Sequence, residues 1–169
     1  DWLAAAKDEA AIKRVLLERS PAGNRPTPKQ LAESSRQVLA ARDIRATLDS
    51  ALSSGVKAEY RQVDVRDVEG VKSVLAEARA SLGPIRGVLH GAGVLRDKRI
   101  EDKRDDDFDQ VLDPKISGLR TVLEATRSDE LTTIALFSSV SGRFGRRGQT
   151  DYALANQALV SIAQSEALT

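Results

Sequence analysis

The stretch Phe137-Ser138-Ser139-Val140-Ser141-Gly142, followed by Gly148-Gln149-Thr150-Asp151-Tyr152-Ala153-Leu154-Ala155-Asn156, decides how the rest of the chain is read. The apolar run from Ile134 to Phe137 predicts a buried strand. It ends in small hydroxyl and glycine residues that leave its carboxyl end open to a ligand. A loop of about ten residues follows, then a helix from Tyr152 to Ala167, rich in alanine and leucine, with Asn156 one turn after the tyrosine. A serine at a strand end therefore faces a tyrosine at a helix start. That crevice is where open α/β sheets bind their ligands.

Working outward, Gly87-Val88-Leu89-His90 reads as a short strand running into the turn Gly91-Ala92-Gly93, and Val68 to Leu82 as the helix before it, stopped by Gly83-Pro84. Asp107 to Thr126 is helical, with Pro114 expected to kink or divide it. Tyr60, Val63 and Val65 alternate with polar residues, which predicts a strand from Ala58 to Val65. The alternation of strand and helix implies right-handed crossovers and a parallel sheet, hence an α/β fold of Rossmann type with flanking helices. Further upstream, Thr27 or Pro28 opens a helix that runs past Leu52 to Gly55 as its C′ residue. Ser20 to Pro28 is a proline-rich loop, and Asp1 to Arg19 is a helix that Asp1 can cap, with a packing role. Two segments result: 1–57, a helical insert or linker, and 58–169, the central part of the sheet domain.

The 169 residues, 41% of them hydrophobic, are enough for a real core. Lys+Arg 26 against Asp+Glu 25 leaves a net charge of +1, which gives no bulk attraction to nucleic acid or anionic membrane. No run approaches a membrane span and Asp1 to Lys7 is unlike a signal peptide, so a soluble, cytoplasmic protein is expected. Zero cysteines and one histidine argue against disulfides, a metal site or a Ser-His-Asp triad. Chemistry must come from Tyr, Ser, Lys or a borrowed cofactor. Taken singly, Gly91 to Gly93 is either a plain turn or a place for close approach of a ligand. Asp64 either caps the turn at Arg66-Asp67 or accepts a hydrogen bond from an adenine amino group. His90 reads as a packing residue at a strand end.

Taken together, Pro114-Lys115-Ile116-Ser117-Gly118, Ser139, Tyr152-Ala153-Leu154-Ala155-Asn156, His90-Gly91-Ala92-Gly93-Val94-Leu95 and Phe108-Asp109-Gln110-Val111-Leu112 resemble the short-chain dehydrogenase/reductase superfamily. The closer resemblance is to the ketoreductase domains of polyketide and fatty-acid megasynthases. In most of the superfamily a lysine stands where this chain has Asn156. In the megasynthase ketoreductases the two residue types exchange places, as Lys115 and Asn156 do here. The segment with Arg25-Pro26-Thr27-Pro28 and Val38 to Arg45 is similar to the ketoreductase region of polyunsaturated-fatty-acid synthases.

This resemblance implies reduction of a β-ketoacyl thioester, carried by an acyl carrier protein, with NADPH as cofactor and neighbouring synthase domains as partners. Tyr152 is then the proton donor, Ser139 the hydrogen-bond donor to the substrate carbonyl, Lys115 the residue that holds the ribose and assists loss of the phenolic proton, and Asn156 the residue that holds Lys115, directly or through water. Asp64, Val65, Gly91, Ala92, Gly93, Lys115 and Tyr152 are the implied cofactor contacts. Asp97, in Leu95-Arg96-Asp97, and Phe144, eight residues before Tyr152, occupy the positions that mark product stereochemistry; the pattern leans to the D product. No Gly-x-Gly-x-x-Gly turn lies between a strand and a helix. The sheet is therefore expected to lack its first βαβ unit and last strands, and the chain produced alone to bind NADPH poorly. Two rivals stay open: a free-standing reductase of small ketones, and a non-catalytic structural piece of a megasynthase.

Overall fold

The computed structural model describes residues 2–21 and 23–166. Asp1, the expected cap of the first helix, and Ala167, the expected end of the last, lie outside them. The chain divides into two compact units, Asp1–Tyr60 and Arg61–Thr169.

The first unit is a helical pair, α1 (Glu9–Glu18) and α2 (Pro28–Ser53), closed around the buried Ile12 and Ala6. The first helix starts later than the sequence pattern predicts. Asp8 is its cap and accepts from the backbone of Ala11 at 2.8 Å. The carbonyls of Leu3 and Ala6 are committed instead to the guanidinium of Arg42 on α2. The second helix begins with a reciprocal capping box: Thr27 Oγ1 accepts from Gln30 N at 3.3 Å, and Gln30 Oε1 accepts from Thr27 N at 2.8 Å. It ends before Gly55, whose φ of 74° suits the left-handed turn that follows.

The second unit holds α3 (Val68–Leu82), β1 (Gly87–His90), α4 (Asp105–Lys115), α5 (Ser117–Ala125), β2 (Thr133–Leu136), α6 (Val140–Phe144) and α7 (Thr150–Glu166). Strands β1 and β2 pair in parallel, Gly87 opposite Thr133 and His90 opposite Leu136. The unit is thus α/β, a parallel sheet with flanking helices, and its buried side chains include Val88, Val111, Leu119 and Leu159. Strand β2 ends one residue before the expected Phe137, because Ser138 N folds back to Leu136 O at 3.1 Å. The long helix expected from Asp107 to Thr126 is divided, as Pro114 implies: the break falls at Ile116 (φ −98°, ψ −58°), two residues after the proline, which itself sits inside α4.

Two expectations need correction. The stretch from Ala58 to Val65 forms no strand. Its valines keep the predicted alternation, Val63 and Val65 half-buried between exposed neighbours, but the described sheet contains only β1 and β2, and alternation without a partner strand makes no ladder. Second, the ten-residue loop before Tyr152 contains α6, capped by Ser139, whose Oγ accepts from Ser141 N at 3.2 Å. Gly142 lets α6 close on α7, since a Cβ there would stand 2.9 Å from the backbone nitrogen of Gln157.

Arg79 of α3 and Asp129, after α5, form a partly buried ion pair at 2.6 Å. Hydrogen bonding from Arg79 holds the Asp129 carboxyl below its ordinary 3.8. A carboxyl with a depressed folded pKa contributes stability above its unfolded value and loses it as pH falls through the folded one. We expect Asp129→Asn to be less stable than wild type at pH 7 and the gap to shrink below about pH 4. Urea unfolding at pH 7 and pH 3 checks it; an equal gap at both would remove the pair from the acid response.

Candidate functional site

The carboxyl ends of β1 and β2 open on a cavity of about 350 Å³ lined by Gly91, Gly93, Lys115, Phe137, Ser138 and Tyr152, among others. A larger space of about 910 Å³, lined by Arg120, Glu124, Glu130 and Ile162 among others, contains none of the predicted site residues.

Lys115 reaches the smaller cavity from the last residue of α4. Its carbonyl takes a hydrogen bond from His90 at 3.1 Å, and because a carbonyl only accepts, His90 Nε2 carries the hydrogen. Burial lowers the pKa of this imidazole, which stays neutral as a backbone-anchoring donor. The lone histidine is therefore more than packing: it pins the residue that bears the site's cation. The Lys115 ammonium donates to Phe137 O at 3.0 Å and stands 5.7 Å from the centroid of the Tyr152 ring. Burial lowers its pKa as well. A Cβ on Gly93 would lie 2.9 Å from Lys115 Cε, so this glycine leaves the lysine its channel. Gly91 has ordinary room, its added Cβ meeting only Phe137 at 3.6 Å.

The two serines separate by hydrogen bonding. Ser138 lines the cavity, but its hydroxyl donates to Asn156 O at 3.0 Å. Ser139 Oγ accepts from Ser141 N, so its own hydrogen remains available to donate. Asn156 is fully buried on α7; its Nδ2 donates to Tyr152 O at 2.7 Å, and Oδ1 has no hydrogen-bond partner among the described residues. The described structure therefore has Lys115 bonded to Phe137 rather than directly to Asn156.

The remaining predicted residues lie outside this group. Asp64 accepts from the backbone and the guanidinium of Arg66, at 2.9 Å and 2.7 Å, and this pairing lowers its pKa to about 2. The turn contact that the sequence allows for Asp64 is thus made. Val65 packs against Gly118 of α5, where a Cβ would come within 2.5 Å of its methyl. Ala92 is half-buried, and Phe144 is 83% exposed. Asp97 accepts from Gln149 Nε2 at 2.8 Å, and Gln149 Oε1 accepts from the Ser141 hydroxyl at 3.2 Å. The marker aspartate is thereby tied to the turn that carries Ser139.

Sequence reading missed Lys103 and Asp151. Their side chains are each 1% exposed and pair at 2.6 Å, while Asp151 Oδ1 also accepts from Tyr152 N at 2.8 Å. Nothing in the sequence marks two charges 48 positions apart as partners. Their joint burial is a property of the folded chain.

Lys115 and Tyr152 line one cavity at the open ends of the parallel strands, Ser139 standing beside the lining Ser138 in sequence, and the KR domain family matches residues 24–168. The chain belongs to the KR domain family. This KR domain sequence is 38% identical to a polyunsaturated fatty acid synthase polypeptide of Thraustochytrium over 168 residues, 95% of this chain and 6% of that protein. It is 39% identical over 121 residues to polyketide synthase PksN of Bacillus subtilis, 72% of this chain and 2% of the relative. Among solved structures, a ketoreductase domain from the bacillaene assembly line matches with TM-score 0.64 and 37% identity, over 73% of this chain and 31% of that one. An N-terminal ketoreductase from the macrolactin assembly line matches with TM-score 0.70 and 25% identity, over 88% and 27%. The KR domain chain therefore spans a small part of the synthases and under a third of the solved domains it resembles.

Proposed function

We propose that this chain contributes the proton-donating site of a ketoreductase that reduces a β-ketoacyl thioester, delivered by an acyl carrier protein within a multidomain synthase, to the 3-hydroxyacyl thioester. The observation that carries the reading is the convergence of Lys115 from α4 and Tyr152 from α7 on one cavity, with the ammonium 5.7 Å from the ring centroid. The cavity suits the nicotinamide riboside end of NADPH: Gly91 and Gly93 line it and it holds the desolvated Lys115 ammonium. Gly91, Ala92, Gly93, Lys115 and Tyr152 would hold that end, and Asp64 and Val65 the adenine end. When bound, the cofactor supplies the hydride.

The chain's own residues supply the rest. Tyr152 gives its phenolic proton to the carbonyl oxygen as that oxygen gains charge. Ser139 donates its free hydroxyl hydrogen to the same oxygen, a contact that strengthens in the transition state. The Lys115 ammonium favours the phenolate that is left and binds the ribose hydroxyls. Asn156 fixes the carbonyl of Tyr152 and, with His90, holds the frame in which Lys115 sits. Asp97 and Phe144 would mark the stereochemical outcome, as the resemblance implies.

The test is reduction of a β-ketoacyl thioester with NADPH by the full-length protein that carries this chain. Mainly D-3-hydroxy product by chiral chromatography is expected. Mainly L product would reverse the stereochemical reading, and no turnover would favour a structural role.

A further inference from the structure

Lys103 and Asp151 form a charged pair that the proposed reaction does not use. Both side chains are 1% exposed, they stand 2.6 Å apart, and neither lines the cavity. An ion pair so deeply buried gives little net stability over well-packed apolar side chains of the same volume, since its attraction must offset the desolvation of two charges. Its bonds, however, reach both walls of the cavity.

On one side, Asp151 Oδ1 accepts from the backbone N–H of Tyr152 at 2.8 Å, in the first turn of α7, where helix amides lack partners of their own. Successive side chains on a helix do not face each other, so Asp151 meets the tyrosine through its amide and leaves the ring to the cavity. On the other side, the Lys103 ammonium donates to Arg96 O at 2.7 Å. Arg96 directly follows Gly93, Val94 and Leu95, all of which line the cavity. The same ammonium stands 5.7 Å from the centroid of the Phe108 ring on α4. That helix begins two residues after Lys103, ends at Lys115 and packs on α7. One cation therefore joins the end of the glycine wall, the helix that carries Lys115 and the turn that carries Tyr152.

We propose that Lys103 and Asp151 are positioning residues for the reduction: the buried pair sets the separation of the two cavity walls, and with it the place of the Tyr152 hydroxyl relative to a bound carbonyl. The inference rests on the ketoreductase reading for the reaction, and on the bonds just described for the placement. Charge-assisted hydrogen bonds are directional as well as strong, so the pair holds a narrower range of geometries than apolar contact would. A misplacement of about 1 Å at a reacting group can cost about a hundredfold in rate.

The experiment uses the full-length protein that carries this chain, with and without Lys103→Met/Asp151→Asn, a change that buries no lone charge. The double variant is expected to keep its far-ultraviolet circular dichroism. Its kcat for a β-ketoacyl thioester should fall at least about tenfold, with KM and NADPH affinity within about threefold and a lower ratio of major to minor 3-hydroxy isomer. A wild-type kcat and isomer ratio would overturn the proposal. Loss of kcat in step with loss of NADPH affinity would overturn it too, leaving the pair as a support of the fold alone. If the double variant does not fold, Lys103→Gln, one atom shorter in reach and still able to bond Asp151, is judged by the same split. Should wild type reduce no thioester, the reductase reading fails, and hydrogen exchange decides the positioning by itself. Amides of Val94 to Asp97 and of Asp151 to Ala153 that exchange at least about tenfold faster in the variant support it, and unchanged exchange sinks it.

Discussion

Tyr152→Phe is expected to lower kcat for β-ketoacyl reduction by about 100 to 10,000-fold, the span usually supplied by a general acid, while leaving NADPH affinity nearly unchanged. The substitution removes one oxygen and leaves the ring that stands 5.7 Å from Lys115, so the cation keeps its neighbour and the cavity its wall. Ser139 remains to polarise the carbonyl, which is why residual turnover is expected rather than none. Stopped-flow reduction with NADPH in excess and a separate cofactor titration check both halves. A variant that reduces the thioester at the wild-type rate would exclude Tyr152 as proton donor. A variant that loses cofactor binding in proportion would make the hydroxyl a binding group.

The second large effect concerns stability. Asp151→Asn keeps an oxygen for the Tyr152 amide but leaves the Lys103 ammonium, 1% exposed, with no counter-charge. Removing one partner of a buried pair typically costs about 3–5 kcal/mol, because the remaining charge stays desolvated. We expect a loss of that order in urea unfolding of the chain, and a smaller loss for Lys103→Met/Asp151→Asn, which buries no lone charge. Lys103 also donates to Arg96 O at 2.7 Å, so the pair fastens the loop carrying Asp97 to the start of α7. A loss below about 1 kcal/mol for the single variant would mean that water reaches the pair.

Much of the fold was legible in the sequence because it rests on local physics. Thr27 or Pro28 is expected to open α2, and the helix begins at Pro28 with Thr27 as its cap. Gly83 ends α3, as its pairing with Pro84 implies. The site was partly legible for a different reason. Lys115, Ser139 and Tyr152 come from separate elements, and only their agreement with one family pattern singles them out in sequence; the structure brings Lys115 and Tyr152 to one cavity. The resemblance points to Ser139 rather than Ser138. The hydrogen bond from Ser138 to Asn156 O leaves Ser139 as the serine with a hydrogen to give.

By itself, the sequence determined most of the helices, though not α6 or the cap of α1, and it determined β1, β2 and the family pattern, since propensity and periodicity act between residues a few positions apart. It also determined the alternation of Val63 and Val65, though not a strand there. A strand exists only where another strand completes its ladder, and the described sheet consists of β1 and β2. Tertiary structure alone decided that His90 anchors the Lys115 backbone across 25 positions and that Lys103 and Asp151 share one buried site across 48. Desolvation and charge pairing depend on what surrounds a group in space, and along the chain those neighbours are far away.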